Sequence, residues 1–234
     1  MIDFNSVSRF SDRINQYIDA GLEAVPQEKR SYLGGSRLGV ECERALQYEY
    51  FHTPKEKGFT GRTLRIFARG HWIESAMLGW LRQGGFIIKG EQDGFSSMGD
   101  KIAGHIDGVF IGGPESVGPY PRLWECKGVQ NKDWKALVKD KLRKQYPVYW
   151  AQCQTYMAFM KLTENPAMFS AVNMNTMEIY WEEVQFDLAE AQRLSDKAVR
   201  IILACQDGVQ LPKISNDPAF YRCKWCAWGG RCHQ

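Results

Sequence analysis

Two segments in the middle of the chain decide its fold. Residues 104–111 read GHIDGVFI, and residues 123–129, after a loop rich in glycine and proline, read LWECKGV. Short apolar runs of this kind, bounded by turn residues, predict β-strands. Because alternate residues of a strand share a face, Glu125 and Lys127 should point together. The intervening loop lets Asp107 come beside them.

Hydrophobic periodicity and helix-breaking residues predict the other elements. Helices are expected at residues 7–22, 42–51, 63–83, 147–162 and 187–208, the last opened by a capping box of Asp187 and Glu190. Strands are expected at residues 86–95, 101–111, 123–129, 168–173 and 178–184. Residues 32–39 and the cysteine-rich tail should be loops. This order predicts an α/β fold in which helices pack on a central mixed sheet.

Composition is that of an ordinary globular protein. The chain has 234 residues, 44% hydrophobic and 24% charged, with a net charge of +3 that by itself neither requires nor excludes nucleic acid. No signal peptide or membrane-spanning run is evident, so we expect a cytoplasmic protein without a membrane partner. We expect one domain, with an N-terminal helical region (1–62), a core (63–208) and a tail (209–234).

Asp107, Glu125 and Lys127 together form a candidate catalytic site. Two carboxylates can hold a hard divalent cation, which prefers oxygen ligands and activates water for attack on a phosphodiester. A nearby lysine can orient that water or stabilise charge on the phosphate. The alternative is a structural ion pair on a strand, which is common. The nearby Gly104 and Gly108 favour a ligand site at Asp107, since small residues leave room for approach.

This pattern resembles the PD-(D/E)XK nuclease signature, with Asp107 followed by Glu125-Cys126-Lys127. Gln152 and Tyr156 match the Gln-x-x-x-Tyr motif of the RecB-like branch. In a helix upstream, the segment Arg69 to Glu74 resembles the histidine motif of that branch, with Glu74 three residues after His71. Residues three or four apart on a helix share a face, so each motif is consistent with one surface.

The resemblance implies specific roles. Lys127 would be the catalytic lysine, and Gln152 and Tyr156 would position a DNA strand near the metal. The ligands of manganese or magnesium would be His71, Asp107, Glu125 and the backbone carbonyl of Cys126. The implied fold is a PD-(D/E)XK core, and the implied activity is that of a DNA nuclease.

We expect an exonuclease that prefers single-stranded or frayed DNA ends. Its context would be recombination, repair or CRISPR-type processing, with protein partners from those systems. One alternative is a non-catalytic DNA-binding or recombination-partner protein that keeps a structural metal. A second is a site-specific restriction enzyme with the same core.

The cysteines predict a second metal site. Cys223, Cys226 and Cys232 form a C-x2-C-x5-C pattern, and Cys42 can supply a fourth thiolate. Four thiolates suit either a [4Fe-4S] cluster or structural zinc, and His233 makes a zinc site with histidine conceivable. The arrangement resembles that of AddB-type helicase–nucleases and of the CRISPR spacer-acquisition nuclease, including its phage-encoded relatives. That resemblance implies an iron–sulfur cluster joining the tail to the N-terminal region.

Basic residues on both sides of the candidate catalytic site suggest contacts with DNA phosphates. Residues 131–145 contain six Lys or Arg and two Asp, a local charge of +4. An arginine stripe at helical spacing precedes His71. The ordinary alternative for such charge runs is a solvated surface. The candidate DNA-binding residues are Arg62, Arg65, Arg69, Lys139, Lys141, Arg143 and Lys144.

Overall fold

The structure is a computed structural model that describes residues 9–26, 30–56 and 58–234. Its helices are α1 (Phe10–Glu23), α2 (Glu43–Tyr50), α3 (Gly61–Gln83), α4 (Asn131–Asp140), α5 (Leu142–Gln145), α6 (Pro147–Met160), α7 (Leu188–Gln206), α8 (Tyr221–Lys224) and α9 (Gly229–His233). Its strands are β1 (Leu33–Gly34), β2 (Ile87–Lys89), β3 (Gly94–Ser97), β4 (Ile102–His105), β5 (Gly108–Gly112), β6 (Arg122–Val129), β7 (Ala167–Asn173) and β8 (Ile179–Val184). Short 3-10 turns lie at Gly35–Arg37 and Glu115–Val117.

A five-stranded mixed sheet forms the centre, in the order β2-β5-β6-β7-β8. Strand β6 pairs antiparallel with β5 and parallel with β7. A smaller sheet has the order β1-β4-β3. The prediction of an α/β fold with helices on a mixed sheet is therefore confirmed, and the second sheet is an addition to it.

Helices cover the central sheet on both faces. Trp124 and Cys126 of β6 pack with Ile73 and Met77 of α3 in one buried cluster. Leu123 and its face of the sheet belong to a larger buried cluster that includes α6 and α7. The predicted alternation along β6 is therefore confirmed, and its Glu125 lies on the side of α6.

Two predicted strands are wrong because each one is divided. Residues 86–95 break into β2 and β3 at a turn where Gly90 and Gln92 have positive φ. Residues 101–111 break into β4 and β5. In each case the two halves join different sheets. In residues 101–111 alternation alone does not reveal the break, because Ile102, Ile106 and Phe110 continue the apolar pattern across it. The consequence is that Asp107 lies at the junction between β4 and β5.

Three smaller expectations also need correction. The loop at residues 32–39 contains β1, which pairs parallel with β4, and a 3-10 turn. The tail contains the short helices α8 and α9. The predicted capping box is only half formed. The Asp187 side chain accepts from the Glu190 amide at 3.0 Å, but the Asp187 amide donates to Gln154 where a capping box would use the Glu190 side chain. Long-range partners decide these details, and local sequence does not show them.

The remaining predicted helices are confirmed within a few residues at each end, although residues 7 and 8 of the first lie outside the described residues. In the described ranges, no helix combines the length and apolarity that crossing a membrane requires.

Gly39 provides a test of how the N-terminal segment packs on α6. A Cβ at Gly39 would lie 2.7 Å from the Cα of Val148 and 2.8 Å from the Cβ of Ala151. We expect Gly39→Ala to destabilise the protein by about 1–3 kcal/mol in urea unfolding, because the backbone of Val148 would have to move to admit the new methyl group. Gly79→Ala is the matched control, since its Cβ would meet nothing within 4 Å. That change should stabilise α3 by about 0.5–1 kcal/mol, and equal effects of the two variants would contradict the packing.

Candidate active site and cysteine cluster

Asp107 is held against the backbone of β6. It lies at the point where the chain leaves β4 and enters β5, and it is 9% exposed. Its Oδ2 accepts a hydrogen bond from the Cys126 amide at 2.7 Å. The Cys126 side chain points away into the cluster under α3. The junction between the two sheets thus brings a carboxylate beside the central strand, as the sequence predicted.

Glu125 is a fully buried carboxylate on the same strand. Its Oε1 accepts from Gln152 Nε2 at 2.6 Å and forms an ion pair with Lys127 Nζ. Its Oε2 is buried and has no hydrogen-bond partner within the described part of the chain. A buried carboxylate oxygen without a donor is costly, so this atom is a candidate ligand for a cation.

Electrostatics at this cluster favour added positive charge. Burial, together with the negative charge of Asp107, raises the pKa of Glu125 to about 8. Burial opposes the charge on Lys127, but Glu125 and Asp107 outweigh it and raise the pKa of the ammonium well above its ordinary value. One lysine therefore compensates the charge of two carboxylates only in part. A divalent cation would offset the remaining repulsion between Asp107 and Glu125.

Helix α6 supports this cluster from one side. Tyr149, Gln152 and Tyr156 are spaced to share one face of the helix. The Tyr149 ring centroid lies 5.4 Å from Lys127 Nζ. Tyr156 is buried against Phe95, with ring centroids 5.3 Å apart, and burial raises the pKa of its hydroxyl. In this structure Gln152 donates a hydrogen bond that orients Glu125. The role of Gln152 and Tyr156 in positioning a DNA strand stays a prediction.

Helix α3 brings a third carboxylate that the sequence analysis did not assign. The pKa of Glu74 is raised by burial and by the charge of Asp107. Gln92 Nε2 donates to Glu74 at 2.6 Å, which holds the carboxylate in place. His71 Nδ1 lies 3.8 Å from Glu74 Oε2, with its own side chain 80% exposed. The sequence places Glu74 on the His71 face of the helix by its spacing of three residues, but it assigns no role to this carboxylate.

Both candidate sites line one cleft of about 1500 Å³. Asp107, Glu125 and Lys127 lie on its wall, and so do the four cysteines of the predicted cluster. Across residues 9–26, 30–56 and 58–234, no three His, Cys, Asp or Glu side chains are grouped closely enough to hold a metal ion as they stand.

The four cysteines nevertheless occupy one neighbourhood. Burial and then the charges of Cys42, Cys232 and Cys226 raise the pKa of Cys223. Cys226 is affected by Cys42 and Cys232 in the same direction. Arg44 Nη1 donates to Cys232 Sγ at 3.8 Å. The fold thus brings the N-terminal cysteine near the three in the tail, while their role as metal ligands stays a prediction.

Hydrogen bonds dock the tail on the segment after α2. Trp228 Nε1 donates to the Thr53 carbonyl at 2.8 Å. The Glu56 amide donates to the Ala227 carbonyl at 3.0 Å, and the Glu56 side chain accepts from the Arg231 amide at 2.9 Å. These contacts hold the tail cysteines on the wall of the cleft.

The predicted DNA-binding residues lie outside the cleft lining. Arg65 pairs with Asp19 of α1, and the spacing of Arg62 and Arg69 places them on the same side of α3. Lys139, Lys141, Arg143 and Lys144 are exposed on α4, α5 and the residue between them. The cleft has its own cationic side chains, which are Arg30, Arg37, Lys55, Lys127, Lys213 and Arg222.

Comparison with solved structures identifies the architecture. An alkaline exonuclease from Laribacter hongkongensis, LHK-Exo, superimposes with a TM-score of 0.54 over 82% of this chain and 93% of its own, at 16% identity. The chain shares the fold of that exonuclease.

The same exonuclease in complex with dAMP gives a TM-score of 0.55 over 77% of this chain and 90% of its own, again at 16% identity. A crystal structure of SSO0001 gives 0.46 at 14% identity over 96% of each chain. No protein-family model and no curated protein matches the sequence. The similarity to LHK-Exo therefore lies in the fold.

The ion pair between the buried Glu125 and Lys127 predicts a pH-dependent stability. Beside the lysine, the pKa of the folded carboxyl is already raised to about 8, and without the lysine it should rise further, so the variant keeps its folded-state proton through a pH range in which the wild type has lost it. Raising the pH then favours unfolding, by about 1.4 kcal/mol per pH unit while the folded and unfolded states differ by one proton. We therefore expect Lys127→Met to lose more stability relative to wild type at pH 9 than at pH 6, in urea unfolding with EDTA.

Lys144→Met is the matched control for that experiment. Lys144 pairs with Asp140 on an exposed helix surface at 2.8 Å, and its side chain is 75% exposed. Exposed pairs of this kind contribute little, so the control should show no measurable pH-dependent loss. A deficit of Lys127→Met that is the same at both pH values would show that Glu125 is not responsible.

Proposed function

We propose that this chain is a metal-dependent DNA nuclease of the RecB-like PD-(D/E)XK type. The observation that carries the proposal is the cluster formed by two buried carboxylates, Asp107 and Glu125, and the partly buried Lys127 on the wall of a large cleft. A structural ion pair needs one carboxylate, and the second one raises the cost of burial. The shared fold with LHK-Exo, which is named an alkaline exonuclease, agrees with the proposal.

The donor set fits a hard divalent cation, magnesium or manganese. Asp107 and the unpartnered Oε2 of Glu125 would hold it, with His71, Glu74 and the Cys126 carbonyl as further candidates at the same wall. Bound there, the cation would polarise a phosphate and lower the pKa of a coordinated water.

The protein's own groups have separate tasks in this proposal. Lys127 places an ammonium beside the carboxylates, where it can stabilise negative charge on a phosphate oxygen. Gln152 fixes the orientation of Glu125 through its hydrogen bond. The Tyr149 ring lies near the ammonium and limits the directions in which Lys127 can move.

An end-directed activity is the form of the proposal that we favour. The structural relative is described as an exonuclease, and one of its structures holds dAMP, a mononucleotide. For this chain we propose hydrolysis of single-stranded or frayed DNA ends, in recombination, repair or CRISPR-type processing.

Replacing the carboxylates should separate cleavage from folding. We expect Asp107→Asn or Glu125→Gln to reduce cleavage at least about a thousandfold, in line with the loss of a central electrostatic contribution. The assay is digestion of end-labelled single-stranded, duplex and closed circular DNA with manganese, using anaerobically purified protein. Glu164→Gln, an exposed carboxylate in the turn before β7, is the control and should cleave normally. Full activity of either carboxylate variant would contradict the proposed catalytic site. Discrete cuts in closed circular DNA would favour a site-specific restriction enzyme over an exonuclease.

We propose that the four cysteines hold a [4Fe-4S] cluster, with structural zinc as the alternative. The proposal is supported by the mutual proximity of the thiols and by the hydrogen bonds that dock the tail. Metal binding displaces thiol protons and would offset the repulsion between the thiolates. His233 Nε2 is buried without a partner among the residues that the structure describes, which keeps a zinc site with histidine under test.

Serine substitutions test the cluster. We expect fresh wild-type protein to be brown and to contain about four irons per chain, as a cubane cluster requires. Cys223→Ser or Cys226→Ser should bleach it and lower the thermal midpoint. Cys205→Ser is the control, because Cys205 is buried in the core near Gln47 and away from the tail cysteines. One tightly bound zinc in colourless anaerobic protein would show that the metal is wrong, and loss of that zinc in His233→Ala would include His233 among its ligands.

A further inference from the structure

Two aromatic rings on the wall of the cleft are not explained by core packing. Phe59 and Phe67 lie 5.0 Å apart between ring centroids, at 85° to each other. They are 42% and 47% exposed, and both line the cleft that contains the catalytic carboxylates. Lys55 Nζ lies 4.1 Å from the Phe59 centroid. An edge-to-face contact and one ammonium leave ring faces open, so the pair can accept a flat ligand.

We propose that Phe59 and Phe67 form a stacking site for an unpaired base of the DNA strand that is being cut. The inference rests on the proposed nuclease function and deepens it, because it assigns residues that would bind a base of the single-stranded substrate. Every base has a π-face, and stacking on aromatic side chains needs no particular sequence. In intact duplex those faces are covered by neighbouring bases, so the pair can be filled only when a base is unstacked.

Helix α3 sets the distance between this pair and the catalytic cluster. Phe67, Gly70, His71 and Glu74 are spaced to lie on one face of the helix, and all four line the cleft. From Phe67 to Glu74 the helix rises about 10 Å, which is about three stacked nucleotides and fewer in an extended strand. A Cβ at Gly70 would meet nothing within 4 Å. Because Gly70 has no side chain, nothing at this position obstructs a DNA strand that lies along α3 between the aromatic pair and the carboxylates.

Charge in the cleft favours a nucleic acid over an apolar peptide as the occupant. Lys55 stands beside the aromatic pair and also lies 5.9 Å from the Trp228 ring of the docked tail. Lys213 and Arg30 line the same cleft. An aromatic surface flanked by ammonium and guanidinium groups suits bases linked by phosphates.

The test measures stacking directly, with single-stranded oligonucleotides that carry 2-aminopurine at one position after another from an end. Binding is followed in EDTA, where no cleavage occurs, and stacking on an aromatic ring quenches the fluorescence. We expect wild-type protein to quench the probe at one or two neighbouring positions. Phe59→Leu with Phe67→Leu should abolish that quenching and weaken binding about tenfold or more. The salt dependence should not change, because no phosphate contact is removed.

Trp72→Leu is the matched control. Trp72 is on the same helix and 71% exposed, but it lies about 140° around the helix from Phe67 and does not line the cleft. It should quench and bind like wild type, and Phe67→Tyr should keep the quenching because it keeps the ring. Equal quenching by the double variant and wild type, or equal losses in the double variant and Trp72→Leu, would overturn the inference.

A parallel cleavage assay separates the two proposals. The same oligonucleotides are incubated with wild-type protein and manganese. Cleavage without ring-dependent quenching would overturn the stacking site and leave the nuclease intact. Ring-dependent quenching without cleavage would support the stacking site while overturning the nuclease. A third outcome combines two observations: the oligonucleotide shows no quenching, and an unrelated apolar peptide displaces it from the protein. That outcome would identify a different occupant of the aromatic pair and overturn the inference.

Discussion

The burial of Glu125 is the constraint on which the rest of the structure depends. A fully buried carboxylate is unfavourable unless its charge is compensated and its oxygens are bonded. Strand β6 provides Lys127 two residues away, and α6 provides Gln152. The chain therefore needs β6 at the centre of the sheet and α6 packed closely over it, which is the architecture that it has.

Asp107 adds a second negative charge that repels the Glu125 carboxylate, and a structural ion pair would not need it. Its position depends on the break between β4 and β5, where the chain passes from the small sheet to the central one. The Cys126 amide fixes one of its oxygens. Two carboxylates, and Glu74 as a third group that they influence, share one lysine. Such an arrangement costs stability, and that cost is typical of a site arranged for a cation and a reaction.

The cleft connects this chemistry with the tail. Helix α3 forms one wall, and the tail is held beside it because Trp228 donates to Thr53 and Glu56 donates to Ala227. The cysteines line the same cleft, far from β6 in sequence. A metal clip there would restrict the unfolded chain across most of its length. Phe67 of the aromatic pair and the carboxylate Glu74 lie along α3, in the same cleft as Asp107 and Glu125.

By itself the sequence determined the local features: the helices α1, α2, α3, α6 and α7, strand β6 with its alternating faces, and the motif residues Asp107, Glu125 and Lys127. These depend on periodicity and spacing, which neighbours in sequence display. Only the tertiary structure decided the division of two predicted strands between two sheets, the role of Glu74, and the turning of the arginine stripe toward α1 and away from the cleft. Each of these depends on partners distant in sequence, such as Asp19 for Arg65 and Gln92 for Glu74. A side chain's spacing shows which neighbours it shares a face with, but the packing of whole elements decides what that face meets.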